Sequence, residues 1–198
     1  MKKQNTIVIV GAGIVGMLAA ILLRKSKIPN ETQIIIIEKS DMDFAIDKKE
    51  IDIRVSAISS GSIDILKKIN IWSKFDEDRI FRFENMKVWD GTEPMNSHST
   101  IKFCADEYGA RELGFIMENS QIQSKLFEAA KKMNIIFYQN CTIERLNHDS
   151  AENKTIISLS NNVTIETDLL IGADGINSKV RSLKNIKIKA YSYHQSAL

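Results

Sequence analysis

Three glycines near the amino terminus have the spacing of a dinucleotide-binding turn. Gly11, Gly13 and Gly16 follow the apolar run 6–10 and lead into the run 14–25, whose composition predicts a helix. The first glycine of such a turn permits the tight bend, the second lets a pyrophosphate approach the backbone, and the third lets helix and strand pack closely. The helix amino terminus adds unpaired N–H groups and a partial positive charge, which suit phosphates. The pattern therefore predicts a site for an ADP-containing dinucleotide.

A carboxylate stands where this fingerprint needs one. Glu38 lies about 20 residues after Gly16, at the spacing expected for an acid that hydrogen-bonds ribose hydroxyls. It closes the apolar run 33–37, which is typical of a buried parallel strand. Glu38 is therefore predicted to contact the adenosine ribose.

The same stretch has an alternative interpretation. Residues 7–23 carry no charge and follow two lysines, as in a secretory signal or a short membrane span. The run is short for a span, its glycines weaken a continuous helix, and no small-x-small cleavage site follows it. These features favour the dinucleotide turn.

Composition limits the other classes of function. A chain of 198 residues suits one large domain or slightly more, and a net charge of +2 gives no global reason to expect nucleic acid. Cys104 and Cys141 stand in no motif and are interpreted as small buried residues. The three histidines are isolated, so the sequence predicts no metal site, and no pattern of nucleophile and base identifies a catalytic residue.

Hydrophobic periodicity predicts further helices and strands. A helix is expected over 60–69, capped by Ser59 or Ser60, and a longer one begins after a cap at Asn119 or Ser120. Residues 86–89 and 101–103 are expected to pair as half-buried strands, and a two-residue turn at 161–162 is expected to close a hairpin.

A second glycine-rich turn follows an apolar run at 169–171. Asp174 and Gly175 form this turn, and Ser178 can cap the helix start that contains Arg181. Taken alone, this is an ordinary turn and cap. Together with the first motif, it resembles the second signature of the flavoprotein aromatic hydroxylases, the FAD monooxygenases of the p-hydroxybenzoate hydroxylase type. The resemblance implies that Asp174, Gly175 and Arg181 belong to the FAD site, in a turn also implicated in the use of reduced nicotinamide.

Further runs are similar to the ubiquinone-biosynthesis hydroxylases: 52–59, 71–72, 86–90 and 113–119. This resemblance implies that Arg54 approaches the FAD phosphates and that Asn119 hydrogen-bonds the flavin side of the cofactor. Arg54 could instead form a surface ion pair, which would contribute little. Asn119 could be the helix cap already predicted, and its two roles are compatible.

The fold implied is α/β: a Rossmann-like FAD-binding domain with a parallel sheet, a β-hairpin or meander crossover, and the start of a mixed-sheet substrate domain. Residues 1–79 and 119–182 are assigned to the FAD-binding domain, 80–118 to a sheet excursion toward the substrate domain, and 183–198 to the start of a truncated substrate domain. The run 193–197 resembles the first strand of that domain. A Gly-Asp step, the third signature of the family, does not occur in the sequence. We therefore expect an amino-terminal fragment that is inactive alone.

By the same resemblance, the complete protein is an FAD-dependent monooxygenase that transfers one oxygen atom of O2 to the ring of a polyprenylated phenol in ubiquinone biosynthesis. NADPH or NADH is the expected reduced donor. With the signal or membrane-span interpretation disfavoured, the protein is expected in the cytoplasm. The prenylated substrate implies that the complete protein associates peripherally with the inner face of the membrane, and other ubiquinone-biosynthesis proteins are expected partners. Two alternatives stay open: a non-catalytic dinucleotide-binding fragment, and another FAD oxidoreductase that shares the two motifs.

Overall fold

The computed structural model describes residues 4–42, 44 and 50–193. Helices and strands follow one another in this order: β1 (Thr6–Val10), α1 (Ile14–Lys25), β2 (Gln33–Ile37), β3 (Val55–Ser59), α2 (Ser60–Lys68), β4 (Ile80–Phe83), β5 (Asn85–Val88), β6 (Ile101–Cys104), β7 (Gly114–Glu118), α3 (Asn119–Lys131), β8 (Ile136–Tyr138), β9 (Ile143–Asp149), β10 (Lys154–Leu159), β11 (Thr164–Thr167), β12 (Leu169–Gly172) and α4 (Lys179–Leu183). The described residues form two compact units: unit 1 holds 4–16, 28–42 and 135–193, and unit 2 holds 17–27, 44 and 50–134.

Unit 1 is built on a parallel sheet with the strand order β12-β1-β2-β8. Strands β1 and β2 consist almost entirely of valine and isoleucine, which suit a pleated surface buried on both sides. All five residues of β1 and the four isoleucines of β2 are buried. The parallel sheet confirms the expected α/β class.

A three-stranded antiparallel sheet, in the order β11-β10-β9, packs on one face of the parallel sheet of unit 1. Alternate side chains of the two sheets share one apolar core: Val8, Val10, Ile35, Ile37, Ile143, Ile157, Leu159 and Ile165. This core holds the ends of β1 and β12, which are followed by the two glycine-rich turns at 11–16 and 172–175.

The hairpin between β10 and β11 is confirmed, but the predicted two-residue turn is wrong. The Leu159 N–H donates to the Val163 carbonyl at 2.9 Å, and the Asn162 N–H donates to the Leu159 carbonyl at 3.1 Å. The loop therefore has three residues, of which Asn162 alone has a positive φ, 64°. That is the geometry of a type I turn followed by one left-handed residue.

Unit 2 contains an antiparallel sheet in the order β3-β7-β4. An aromatic cluster of unit 2 includes the partly buried Trp72, whose ring meets Phe115 edge-on at 5.0 Å and Phe75 at 5.9 Å between centroids. Strands β5 and β6 pair as predicted, in a separate two-stranded ribbon. All four residues of β5 are exposed, so the expectation of a half-buried strand is wrong. Alternation of residue types shows which side of a strand is apolar, and it does not show whether that side is covered.

The helices of unit 2 lie where the periodicity predicts them, with Ile63, Leu66, Ile122 and Leu126 buried. The predicted caps are wrong in detail. Ser59 holds the N-cap position of α2, but its hydroxyl lies 3.2 Å from the Ser62 hydroxyl and bonds no backbone N–H at the helix start. Helix α3 begins at Asn119 itself, with Glu118 at the N-cap position.

The uncharged run 7–23 forms β1, a turn and most of α1. No helix in the described ranges combines the length and the apolar character needed to cross a membrane. The strand expected at 193–197 lies outside the described residues, except for Tyr193.

Candidate dinucleotide site

The main chain itself requires two glycines of the first turn. Gly11 has a φ of +104°, and a Cβ at this position would lie 2.4 Å from the carbonyl oxygen of Ala173. A Cβ on Gly16 would lie 1.9 Å from the carbonyl oxygen of Gly11. Both contacts are far shorter than real Cβ atoms show, and both neighbours are backbone atoms. The first and third glycines therefore allow the bend and the close packing that the motif predicts.

The second glycine faces open space. No heavy atom lies within 4 Å of a Cβ built on Gly13, and its φ is not in the left-handed region. Nothing in the protein fold described here requires glycine at this position. A backbone that stays bare beside an open space, at the amino terminus of α1, fits the approach of a cofactor pyrophosphate.

Glu38 lies directly after β2 and links two turns. Its Oε2 accepts a hydrogen bond from the Ala12 N–H at 2.7 Å, and its Oε1 accepts one from the Ser40 N–H at 3.1 Å. A carboxylate can accept about four hydrogen bonds, so these two leave capacity for ribose hydroxyls. The Glu38 carboxylate is thus held beside the glycine-rich turn, and its contact with the adenosine ribose stays a prediction.

The second turn folds around Asp174. Its Oδ1 accepts from the Ser178 hydroxyl at 2.6 Å, and its Oδ2 accepts from the N–H groups of Lys179 and Val180 at 2.6 and 3.2 Å. Burial alone would raise the pKa of Asp174, but these hydrogen bonds outweigh burial and hold the pKa below its ordinary value of 3.8. The Asp174 carboxylate thus anchors the start of α4.

Ser178, Gly175 and Arg181 complete this turn. The Ser178 hydroxyl caps α4 by accepting from the Arg181 N–H at 3.0 Å, as predicted. The Arg181 guanidinium donates to the Ile176 carbonyl. Gly175 has a φ of +76° and, like Gly13, no heavy atom near a Cβ built on it. A cleft of about 580 Å³ borders the turn and is lined partly by Asp174, Gly175 and Arg181.

Strand pairing brings the two motifs together inside unit 1. Strands β1 and β12 are parallel neighbours with Val10 opposite Gly172, so their carboxyl ends meet at one edge of the sheet. The Ala173 N–H donates to the Val10 carbonyl at 2.8 Å, directly beside Gly11. Seven of the predicted site residues therefore belong to unit 1: Gly11, Gly13, Gly16, Glu38, Asp174, Gly175 and Arg181.

The other two predicted residues, Arg54 and Asn119, lie together in unit 2. The Arg54 carbonyl accepts from the Asn119 N–H at 2.9 Å, and the Arg54 N–H donates to the Asp52 carboxylate at 2.9 Å. The Asn119 side chain accepts from the Ser56 hydroxyl at 2.7 Å, so it does not cap α3. Two hydrogen bonds hold the pKa of Asp52 below its ordinary value: the larger effect comes from the Arg54 N–H and a smaller one from the Ser120 hydroxyl.

Sequence reasoning gave no role to Arg79 and Glu118, which form an ion pair in unit 2. Arg79 Nη2 lies 2.6 Å from Glu118 Oε2, with side-chain exposures of 13% and 2%. The sequence feature that could have pointed to Glu118 is its position: it is an acid directly after the apolar run 115–117 and directly before an amphipathic helix. In the described ranges no group of three or more His, Cys, Asp or Glu side chains could hold a metal ion.

Comparison with known proteins agrees with this geometry. Residues 4–197 match the family model described as FAD binding domain. The chain is 34% identical over 197 residues to the mitochondrial ubiquinone biosynthesis monooxygenase COQ6 of Caenorhabditis elegans, covering 96% of this chain and 42% of that protein. It is 29% identical over 201 residues to 3-demethoxyubiquinol 3-hydroxylase of Escherichia coli (strain K12), covering 100% of this chain and 48% of that protein.

A solved structure has the same fold. It is the crystal structure of pqsL, a probable FAD-dependent monooxygenase from Pseudomonas aeruginosa, with a TM-score of 0.71 and 17% sequence identity. The likeness covers 96% of this chain and 48% of that chain. The chain spans less than half the length of the two curated relatives described above.

Proposed function

This chain belongs to the FAD binding domain family, and from that premise we propose that it forms the FAD-binding part of a monooxygenase that hydroxylates the aromatic ring of a polyprenylated phenol in ubiquinone biosynthesis. The names of the two curated relatives, a ubiquinone biosynthesis monooxygenase and a demethoxyubiquinol hydroxylase, support this reaction. The observation that carries the proposal is the first turn, where the Glu38 carboxylate and the open space at Gly13 lie beside one helix amino terminus.

In this proposal, the residues of unit 1 hold the adenosine end of FAD. The backbone at Gly13 and the start of α1 face the pyrophosphate, and Glu38 accepts hydrogen bonds from the ribose hydroxyls. Asp174 acts indirectly, by fixing the turn in which Gly175 leaves the backbone bare. When bound, FAD supplies the redox and oxygen-activating chemistry, so the protein's task is binding, orientation and exclusion of water. We assign no residue of this chain a catalytic role.

The remaining assignments rest on the family resemblance. Arg54 is proposed to approach the FAD phosphates, Asn119 the flavin side, and Arg181 the turn beside the pyrophosphate. Residues 1–79 and 119–182 are proposed as the FAD-binding domain, with 80–118 leading toward a substrate domain that begins at 183–198.

The proposed partners follow from the reaction. O2 and the prenylated phenol are the substrates, and NADPH or NADH is the reduced donor. Because a polyprenyl tail resides in lipid, we place the complete protein at the inner face of the membrane, peripherally bound from the cytoplasmic side, with other proteins of ubiquinone biosynthesis.

The first prediction concerns the identity of the cofactor. The full-length protein is expected to purify with noncovalent FAD, because the first turn fits an ADP-containing dinucleotide and the family binds FAD. The absorbance spectrum of heat-denatured protein, with chromatography of the released ligand, measures this directly. Release of FMN alone, or of NAD without flavin, would contradict the proposal and favour the alternatives of a different oxidoreductase or a dinucleotide-binding module.

The second prediction is that the 198-residue chain alone yields no hydroxylated product. Relatives of the chain are more than twice as long, and the third family signature does not occur in it. The flavin ring would then lack several hydrogen bonds and an enclosing apolar wall, which should weaken FAD binding on the order of a thousandfold. The chain is supplied with FAD, a reduced donor and a prenylphenol, and product is sought by mass spectrometry. Stoichiometric product above a control with flavin alone would contradict this prediction.

A further inference from the structure

Glu118 is a buried charge of unit 2 whose carboxylate is fully hydrogen-bonded. It ends β7 and is 2% exposed. Its Oε1 accepts from Arg79 Nε at 2.8 Å and from Gln121 Nε2 at 2.9 Å. Its Oε2 accepts from Arg79 Nη2 and from the Asp52 N–H, both at 2.6 Å. The carboxylate therefore has four donors, and its pair with Arg79 is bidentate.

The arginine of this pair extends the network. The Arg79 guanidinium makes two hydrogen bonds to Glu118, one from Nε and one from Nη2. Its Nη2 also donates to the Glu50 carbonyl at 2.7 Å. One guanidinium thus ties the backbone of the segment 50–54 to the end of β7. Because a guanidinium binds through a rigid planar fork, it fixes both distance and direction.

The network ends on Arg54 and Asn119. The Asp52 N–H is held by Glu118, and the Asp52 carboxylate in turn accepts from the Arg54 N–H. On the other side, the Arg54 carbonyl accepts from the Asn119 N–H, the residue that follows Glu118. The backbone of Arg54 is thus held on both sides, while its side chain remains exposed.

Stability alone does not explain a buried ion pair at this place. Replacing such a pair by packed apolar side chains is often neutral or stabilising, because removing two charges from water is costly. What the pair supplies is a single geometry for the groups attached to it. Ile53, between the two tethered residues, is 95% exposed, so apolar packing of its side chain does not fix this segment.

We propose that the ion pair between Arg79 and Glu118 is a positioning device that holds the backbone of Arg54 in one fixed arrangement, so that the Arg54 side chain can contact an anionic dinucleotide. The inference rests on the proposed FAD function. Arg79 and Glu118 act through Arg54 and do not contact the cofactor themselves. Weakening the pair should therefore lower FAD affinity only where Arg54 is present to be misplaced.

A double-mutant cycle in the full-length protein tests this. Arg79→Lys keeps the charge but loses the bidentate fork, and it is expected to raise the Kd for FAD about tenfold. In an Arg54→Ala background the same substitution should leave the Kd unchanged. The loss of stability against urea should be equal in the two backgrounds, which separates positioning from a purely structural role.

Two further variants complete the experiment. Arg82→Lys is the matched control, because Arg82 pairs with Glu84 at 2.7 Å with both side chains about half exposed, and FAD affinity should not change. Asp52→Ala removes the acceptor of the Arg54 N–H and leaves the Glu118 carboxylate in place. It should also weaken FAD binding, and it replaces Arg79→Lys in the experiment if Arg79→Lys does not fold.

The inference is overturned if the wild type binds FAD and Arg79→Lys binds it equally tightly. If Arg79→Lys does not fold, equal affinity of Asp52→Ala and the wild type overturns it. Additive losses with Arg54→Ala also overturn it. A wild type that binds no FAD overturns the proposed function instead.

Discussion

Gly16→Ala is expected to abolish FAD binding and to lower the free energy of unfolding by about 3 kcal/mol. The added methyl group would lie 1.9 Å from the Gly11 carbonyl oxygen, so helix α1 must move away from the turn. The methyl carbon is bonded directly to the Gly16 Cα and its neighbour is a backbone carbonyl oxygen, so no side-chain rotation relieves the clash. Urea unfolding of the apo-protein and titration with FAD, followed by flavin fluorescence, measure the two effects.

Gly13→Ala in the same turn should behave in the opposite way. Its methyl group meets open space at an ordinary φ, so the stability of the apo-protein should stay the same or rise by about 0.5 kcal/mol. FAD affinity should nevertheless fall at least about tenfold, because the methyl group fills the space assigned to the pyrophosphate. Gly91→Ala is the matched control, since Gly91 is equally open and lies outside both motifs.

Two outcomes, one for Gly13→Ala and one for Gly16→Ala, would contradict this account of the first turn. If Gly13→Ala binds FAD as tightly as the wild type does, the cofactor does not approach this backbone. If Gly16→Ala is as stable as the wild type, the close contact with the Gly11 carbonyl does not exist in solution.

Glu38→Ala is expected to weaken FAD binding roughly ten- to a hundredfold, or about 1.5 to 3 kcal/mol. The substitution removes the ribose acceptor and also frees the Ala12 N–H, which Glu38 holds at 2.7 Å. Glu38→Gln keeps one acceptor oxygen and should show an intermediate loss. Isothermal titration of the apo-protein gives each Kd.

The position of Glu38 makes this prediction specific to one half of the cofactor. ADP contains the same ribose and pyrophosphate as FAD, so its affinity should fall by a similar factor. Equal Kd values for wild type and Glu38→Ala would show that the carboxylate serves only the turn. A loss for FAD with no loss for ADP would place Glu38 near the flavin instead.

The sequence predicts the parts of this fold whose causes are local. Helix α1 begins and ends at the predicted residues, because the glycine pattern defines its start and the apolar run defines its length. The hairpin at 154–167 is recognised from asparagines that tolerate a left-handed backbone. The family resemblance implies that the two glycine motifs belong to one site, and the structure shows that the parallel strands β1 and β12 bring both motifs to one edge of the sheet.

The remaining features depend on partners far away in the chain. Asn119 is a plausible cap by local pattern, but its carboxamide accepts from Ser56, 63 residues earlier. Glu118 meets Arg79 across 39 residues, and neither stands in a motif that predicts the other. Single-sequence patterns record propensity and periodicity, whereas such pairs are determined by tertiary packing.

Strand β1 takes its two neighbours from distant parts of the chain, which has a consequence for biosynthesis. It pairs with β2 soon after the first turn, but its other neighbour is β12, and the Thr6 N–H donates to Asp168, 162 residues later. A nascent chain on the ribosome therefore exposes one unpaired edge of β1 until β12 has emerged, and such edges recruit other strands. Since Gly11 packs against Ala173, the turn reaches its final shape only when the second motif has emerged. The cofactor consequently cannot assist the early stages of folding, and chains that stop before β12 should depend on chaperones to avoid aggregation.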